Sequence, residues 1–249
     1  TRLREAMVKS RNLVSVRLLR DIGIDFARDH VTRFGFEQDE IPANLSMALG
    51  SASLTPLSMA RGYAVFANGG YLVPPRYIST IRDAGGTIVY ETRPPLLCDD
   101  CMPESESAEQ TVVVEKLEPE FRPLNVTTDS DAVNSSLDET ESAPNRAEIA
   151  IADRAISPQN AYLVRSLMMD VVRRGTGVRA MQLGRRDLAG KTGTTQEARD
   201  AWFLGFTANY VAGVWMGYDD NTPLTGVTGG GLPAEIWRET MIRVHEGLP

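Results

Sequence analysis

The sequence predicts a mixed α/β (α+β) fold in which an antiparallel sheet is covered by helices. Three observations predict it. Two helices open with a hydroxyl cap followed by proline, at Thr55-Pro56 and Ser157-Pro158. Three strand-like segments arrive together: Asp187 to Thr195, Ala201 to Thr207 and Tyr210 to Tyr218, the last two separated only by Ala208-Asn209. A final amphipathic stretch, Pro233 to His245, closes the chain. Strands joined by a two-residue link pair as a hairpin, and a sheet with one apolar face buries it under helices.

The elements follow in order. Residues 2–9 look helical. Asn12 then starts a second helix, since its side-chain oxygen can accept from an orphan N–H of the first turn. Leu13, Val16, Leu19 and Ile22 give it helical spacing, and Gly23 stops it. Ile24 to Thr32 forms a further short helix. After Thr55, proline at the first helical position costs nothing, because its missing N–H is unpaired there in any residue. Leu57, Ala60, Tyr63, Ala64 and Ala67 make that helix's apolar face, and Asn68-Gly69-Gly70 ends it. Residues 77–82 and 87–91 alternate around Asp83-Ala84-Gly85-Gly86 and read as a hairpin. In the helix after Ser157, Tyr162, Leu163, Leu167, Val171 and Val172 are the expected buried side, and Gly175 lies beyond its end. In the closing helix the expected buried residues are Ile236, Trp237, Met241 and Val244.

Composition bounds the function. The chain has 249 residues, 42% of them hydrophobic, enough to bury a core in about one to two domains. There is no run of eighteen apolar residues, so nothing here reads as a membrane span. The opening Thr1-Arg2-Leu3-Arg4-Glu5-Ala6 has no signal-peptide layout and reads as mid-helix, the expectation for a piece of a longer protein. The net charge is -7, but residues 98–148 hold 14 of the 33 acids and only three of the 26 bases. That Ser-, Glu-, Asp- and Pro-rich segment is expected to be a mostly disordered insertion, interrupting one domain made of residues 1–97 and 149–249. No basic stripe interleaves with aromatics, so nucleic acid is not an expected partner. The two cysteines, Cys98 and Cys101, lie too far from either histidine to suggest a zinc site; a local disulfide is the preferred reading, a pair of free loop thiols the other. No metal and no cofactor is expected.

Two short motifs carry chemistry. Lysine is scarce, and Lys191 lies in Ala189-Gly190-Lys191-Thr192-Gly193-Thr194-Thr195. An ammonium beside hydroxyls makes a site for a carboxylate. On a strand, Lys191 and Gly193 share one face while Thr192 and Thr194 share the other, and Gly193 lets a ligand backbone come close. The second motif is Ser10-Arg11-Asn12 at a helix junction: a hydroxyl that can relay a proton and an amide that can hold a substrate amide. Taken alone, each motif also fits an ordinary strand end or helix cap. His30 and His245 lack triad partners and read as surface or packing residues, and Trp202, Phe203, Phe206 and Trp215 as core.

Ser-x-Asn followed by Lys-Thr-Gly is two thirds of the site of serine β-lactamases and penicillin-binding proteins. Outside 98–148 nearly the whole chain resembles the transpeptidase domain of class A, bifunctional penicillin-binding proteins. The resemblance is carried by Met7 to Val16, Ala48-Leu49-Gly50-Ser51 with Thr55-Pro56, and Arg61-Gly62-Tyr63-Ala64 to Gly70. It continues through Ile156 to Tyr162, Gly175-Thr176-Gly177, Lys191 to Thr195, Asp200-Ala201-Trp202-Phe203, Val214-Trp215-x-Gly217-Tyr218-Asp219 and Pro233-x-x-Ile236-Trp237. The third motif of such sites, Ser-x-x-Lys, is missing: the residues three before Lys9, Lys116 and Lys191 are Ala6, Val113 and Leu188.

The resemblance implies a D,D-transpeptidase that cross-links peptidoglycan stem peptides ending in D-Ala-D-Ala and is trapped by β-lactams. It implies Ser10, Asn12 and Lys191 as catalytic residues, and Thr192, Gly193 and Thr194 as substrate-binding ones. The nucleophilic serine and its lysine are then expected on an upstream fragment of the same protein. The expected location is the periplasmic face of the bacterial inner membrane, reached through an N-terminal anchor. A D,D-carboxypeptidase or serine β-lactamase, with water as acceptor, and a non-catalytic cell-wall-binding module are the alternatives.

Overall fold

A computed structural model describes residues 2–98 and 150–248. The expected insertion lies outside the described residues apart from Cys98, which is disulfide-bonded; Cys101, the only other cysteine, is also outside them.

The described elements are α1 (Leu3–Val8), α2 (Asn12–Ile22), α3 (Ile24–Thr32), α4 (Pro56–Ala67), β1 (Tyr71–Leu72), β2 (Thr80–Arg82), β3 (Ile88–Glu91), β4 (Asp153–Arg154), α5 (Pro158–Arg174), β5 (Ala189–Thr194), β6 (Asp200–Phe206), β7 (Val211–Gly217) and α6 (Leu232–Val244). Both proline-opened helices start as their sequence dictates. Thr55 Oγ1 accepts from the Ser58 N–H at 3.1 Å, and Ser157 Oγ from the Asn160 N–H at 3.3 Å. Helix α2 differs from expectation by one place. Asn12 is its first helical residue rather than its cap, and Arg11 at the cap position makes no side-chain bond. The turn before it is set by Ser10, whose φ of +48° closes the α1–α2 junction in a conformation that non-glycine residues seldom adopt.

The central sheet has the order β5-β6-β7, all antiparallel, with Lys191 opposite Leu204, Gly193 opposite Trp202, and Trp202 opposite Trp215. Side-chain alternation gives it two different faces. On one, Phe203 meets Trp237 of α6 edge-on at 5.2 Å, and the Trp237 indole N–H donates to the carbonyls of Gly205 and Ala212. Val172, Leu188, Ala234 and Met241 complete that core. On the other face, Ala189 and Phe206 pack with Met168 of α5 and with Tyr63 and Phe66 of α4. The sheet is therefore covered on both sides by helices.

Amphipathic spacing picked the right helices but not always the right face. Tyr162 and Leu163 are exposed, while Ala161, Met168, Val171 and Val172 are buried. The rotation of α5 is fixed from both ends of its contact surface. Met168 fits under β5, and Asp170 pairs with Arg4 of α1 at 3.0 Å. Likewise Leu13 and Ile22 of α2, Leu57 of α4, and Ile236 and Val244 of α6 are exposed, while Leu19, Trp237 and Met241 are buried as expected and Val65, outside the expected face, is buried on α4.

Two short pairings bracket the segment 99–149. β1 pairs with β4, and Leu96 bridges Ile151 in parallel. Val65 of α4 shares a core with Ala155, Ile156 and Ala161, so the described residues before and after that segment are packed together.

Candidate active site

The site is built where α1, the turn after α5 and strand β5 converge. Gly175 is pressed against the Val8 carbonyl, where a Cβ would lie 2.5 Å from the oxygen, so this close approach requires glycine. The Thr176 N–H donates to that same carbonyl at 3.3 Å. The result fixes the end of α1, and with it Ser10, beside β5. The Lys191 ammonium donates to Ser10 Oγ at 2.5 Å and to the Thr192 carbonyl at 2.7 Å. An ammonium has three protons, so one donor is left for a ligand. Burial pushes the Lys191 ammonium down to about 8 from its ordinary 10.5, because desolvation penalises the charged form.

Gly193 and Lys191 lie on the same face of β5, turned toward a cavity of about 570 Å³. Trp202, Leu204 and Trp215 line it from the sheet, with Thr55, Pro56, Met59 and Tyr63 across from them. Pockets of this size take peptide-like or drug-sized ligands. Burial raises the Tyr63 phenol to about 12, so it stays protonated at any physiological pH.

Thr192 and Thr194 border the cavity but turn their hydroxyls to the opposite face. Thr192 Oγ1 is 2.6 Å from Thr176 Oγ1, and Thr194 Oγ1 accepts from the Gly229 N–H at 3.0 Å. The ladder sets the main chain. The Thr195 N–H donates to the Asp200 carbonyl, so by the two-residue alternation the amides of Thr192 and Thr194 point the other way, to the strand edge facing away from β6. Of the six expected residues, Ser10, Lys191, Thr192, Gly193 and Thr194 are thus brought together. Asn12 sits two residues past Ser10, exposed and without a side-chain hydrogen bond among the described residues.

Trp202 and Trp215 are not the core residues they were expected to be. They form a tilted pair at 6.2 Å on the cavity wall, and the Trp215 indole donates to Asp200 Oδ1 at 2.8 Å. Their pairing opposite each other across the Ala208-Asn209 link was available in the sequence; their place on Lys191's side of the sheet was not. His245 is a packing residue, with Nδ1 on the Met241 carbonyl and Nε2 on Thr207, and His30 stacks on Phe26 and meets Phe34 edge-on. Among the described residues, no group of three or more His, Cys, Asp or Glu is placed to hold a metal.

A helix-flanked antiparallel sheet with a lysine on its edge strand next to a serine from a helix junction defines a serine acyl-transferase scaffold of the β-lactamase and transpeptidase kind. The model of the penicillin-binding protein transpeptidase domain matches residues 1–241, and the chain belongs to that family. It is 39% identical over 239 residues to penicillin-binding protein 1A of Pseudomonas aeruginosa, covering 94% of this chain and 28% of that protein. To penicillin-binding protein 1A of Escherichia coli K12 it is 35% identical, covering all of this chain and 32% of that protein. The chain thus spans about a third or less of these relatives. The crystal structure of penicillin-binding protein 1A from Haemophilus influenzae superposes with a TM-score of 0.77 at 32% identity, over all of this chain and 35% of that one. PonA1 of Mycobacterium tuberculosis, solved with penicillin V, shares the fold at a TM-score of 0.68 and 21% identity, covering 99% of this chain and 57% of that one.

Proposed function

We propose that this chain supplies one wall of a peptidoglycan D,D-transpeptidase site, on the periplasmic face of the inner membrane. The observation that carries the reading is the 2.5 Å contact of Lys191 with Ser10, which joins two motifs 181 residues apart. In this reading the free donor of Lys191 takes the terminal carboxylate of a D-Ala-D-Ala stem peptide. Thr194, whose hydroxyl lies on the other face of β5, accepts from Gly229 and so keeps its own proton to reach that carboxylate around the open edge of the strand. Of the Thr176 and Thr192 hydroxyls, one donates to the other, leaving one proton for the ligand. Asn12 holds the substrate amide. The outward Thr194 N–H forms half of an oxyanion hole, a contribution worth about 3–4 kcal/mol in acyl transfer.

The attacking serine and its lysine come from an upstream segment, because no serine in this chain has a lysine three positions on. Attack on the penultimate D-Ala carbonyl expels the last D-Ala. Ser10, hydrogen-bonded to a lysine poised near 8, relays the proton to the leaving amine. An amine of a second stem then takes the acyl group from the ester, making the cross-link. β-Lactams reach the same serine by presenting a carboxylate and a reactive amide in the same relation.

Labelled penicillin tests this directly. The 249-residue chain alone stays unlabelled, and adding the upstream segment with Ser-x-x-Lys restores covalent labelling on that segment's serine. Labelling of this chain by itself, or a longer protein that binds penicillin without an acyl bond, overturns the assignment.

A further inference from the structure

The cavity has opposite charges at its two ends. Lys191 stands at one. At the other, Asp200 opens β6 beside Trp202 and Trp215. Thr195, which follows β5 and donates its N–H to the Asp200 carbonyl, lies four residues on from Lys191. At about 3.3 Å per residue the two positions are offset by about 13 Å along the strand direction. Asp200 Oδ1 is taken by the Trp215 indole N–H, and among the described residues the carboxylate has no cationic partner. A carboxylate flanked by two indole rings has the composition of a site for an ammonium group, which gains both ion pairing and attraction to the ring faces.

We propose that Asp200, Trp202 and Trp215 form a subsite for the side-chain ammonium of the donor stem peptide. The inference rests on the transpeptidase reading above. Cross-linking needs an amine on the acceptor stem, and stems of one polymer serve in both roles, so the donor carries the same amine. If Lys191 holds the donor's terminal carboxylate, two extended residues carry the chain about 7 Å back along β5. A side chain of lysine length on the next residue makes up the remaining distance to Asp200. The cavity would thus read the donor at both ends: its carboxylate at Lys191 and its free amine at Asp200. The subsite changes specificity among peptides and takes no part in the bond-making step.

The test uses the full protein including its Ser-x-x-Lys segment. Two D-Ala-D-Ala peptides are compared, one with a free side-chain ammonium and one N-acetylated at that amine. The wild-type protein should favour the ammonium peptide in kcat/KM by about tenfold, as a charge-assisted contact implies. Asp200→Asn keeps an acceptor for Trp215 but removes the charge, and should bring the ratio of the two peptides close to one. High salt should narrow the wild-type ratio. Equal use of both peptides by the wild-type protein overturns the subsite while leaving the transpeptidase reading intact, and needs no variant. A ratio unchanged by Asp200→Asn also overturns it. Failure of the wild-type protein to act on either peptide sinks the transpeptidase reading itself.

Discussion

β2–β3 and β6–β7 are both antiparallel hairpins rich in β-branched and aromatic residues. In the first, every residue is exposed, including Ile81, Ile88, Val89 and Tyr90. In β6, Ala201, Phe203, Leu204 and Phe206 are at most 3% exposed. Local propensity and turn chemistry make both hairpins; burial on two faces makes only one of them a frame. The β2–β3 turn is held by its own bonds, Asp83 Oδ1 accepting from the Thr87 N–H and the Gly86 N–H donating to the Asp83 carbonyl. It can shift without disturbing a distant group. β6 cannot, because a one-residue slip would send Phe203 and Phe206 to the wrong faces and break the register that sets Leu204 opposite Lys191.

The largest effect that sharpens this contrast is expected at Trp237. It is fully buried, packs on Phe203 and donates to two sheet carbonyls. Trp237→Ala should cost about 3–5 kcal/mol, seen as a large drop in the thermal midpoint. A loss under about 1 kcal/mol would mean that the sheet does not depend on α6.

Next comes Lys191, where the frame meets the chemistry. In the full protein, Lys191→Ala loses a charge-assisted contact of about 1.5–3 kcal/mol, or about 10- to 100-fold in penicillin acylation rate. Lys191→Arg keeps the charge without the compact geometry and should recover part of it. The ammonium is needed to hold an anion and is lost above about 8, so the acylation rate kcat/KM should fall as pH rises through that value. Arginine stays protonated, so that limb should vanish in Lys191→Arg. The same depressed pKa has a stability consequence of opposite slope. Between about 8 and 10.5 the unfolded chain binds more protons than the folded one, so stability should rise with pH across that window.

The fold was legible largely because caps and alternation are local. Thr55-Pro56, Ser157-Pro158 and the three strands carry their own instructions. The site was legible only as residue types, since the Lys191–Ser10 contact joins ends of the chain that no spacing relates. What escaped was set by tertiary contacts: the rotation of α5, fixed by Arg4 and Met168, and the place of Trp202 and Trp215. Large indoles in a strand read as core, yet here the neighbouring face of the sheet opens on a cavity. Asn12 shows the same limit at the scale of one residue. A cap position depends on the preceding turn, and Ser10's positive φ moves it to Arg11.

A smaller effect is expected at Asp187, which ties the start of the sheet to the β6–β7 turn. Its carboxylate pairs with Arg185 at 2.9 Å and accepts from the Ala208 N–H at 3.0 Å. The bond from Arg185 holds it down to about 2 from an ordinary 3.8. A carboxyl lowered on folding stabilises the folded state above its unfolded pKa, and that stabilisation is lost as pH falls through the folded one. Acid unfolding curves of wild-type and Asp187→Asn should therefore diverge above about 4 and merge near 2. The pair is partly exposed, so the gap at neutral pH should be about 0.5–1 kcal/mol. A gap that stays constant down to pH 2 would point to packing rather than charge.

The smallest effect is expected in the exposed hairpin, and it tests the comparison from its other side. Val89 is 62% exposed in β3, so Val89→Ala opens no cavity and removes little area from a protected face. Its cost should stay within about 0.5 kcal/mol, the range for surface positions away from caps and cores. Penicillin labelling by the full protein should not change, because β2–β3 is a separate sheet from the one that carries Lys191 and all its residues are exposed. A loss above about 1 kcal/mol, measured by denaturant unfolding, would show that Val89 is covered in the folded protein. β2–β3 would then be an interface, and the contrast with β6–β7 would reduce to what each hairpin is buried against.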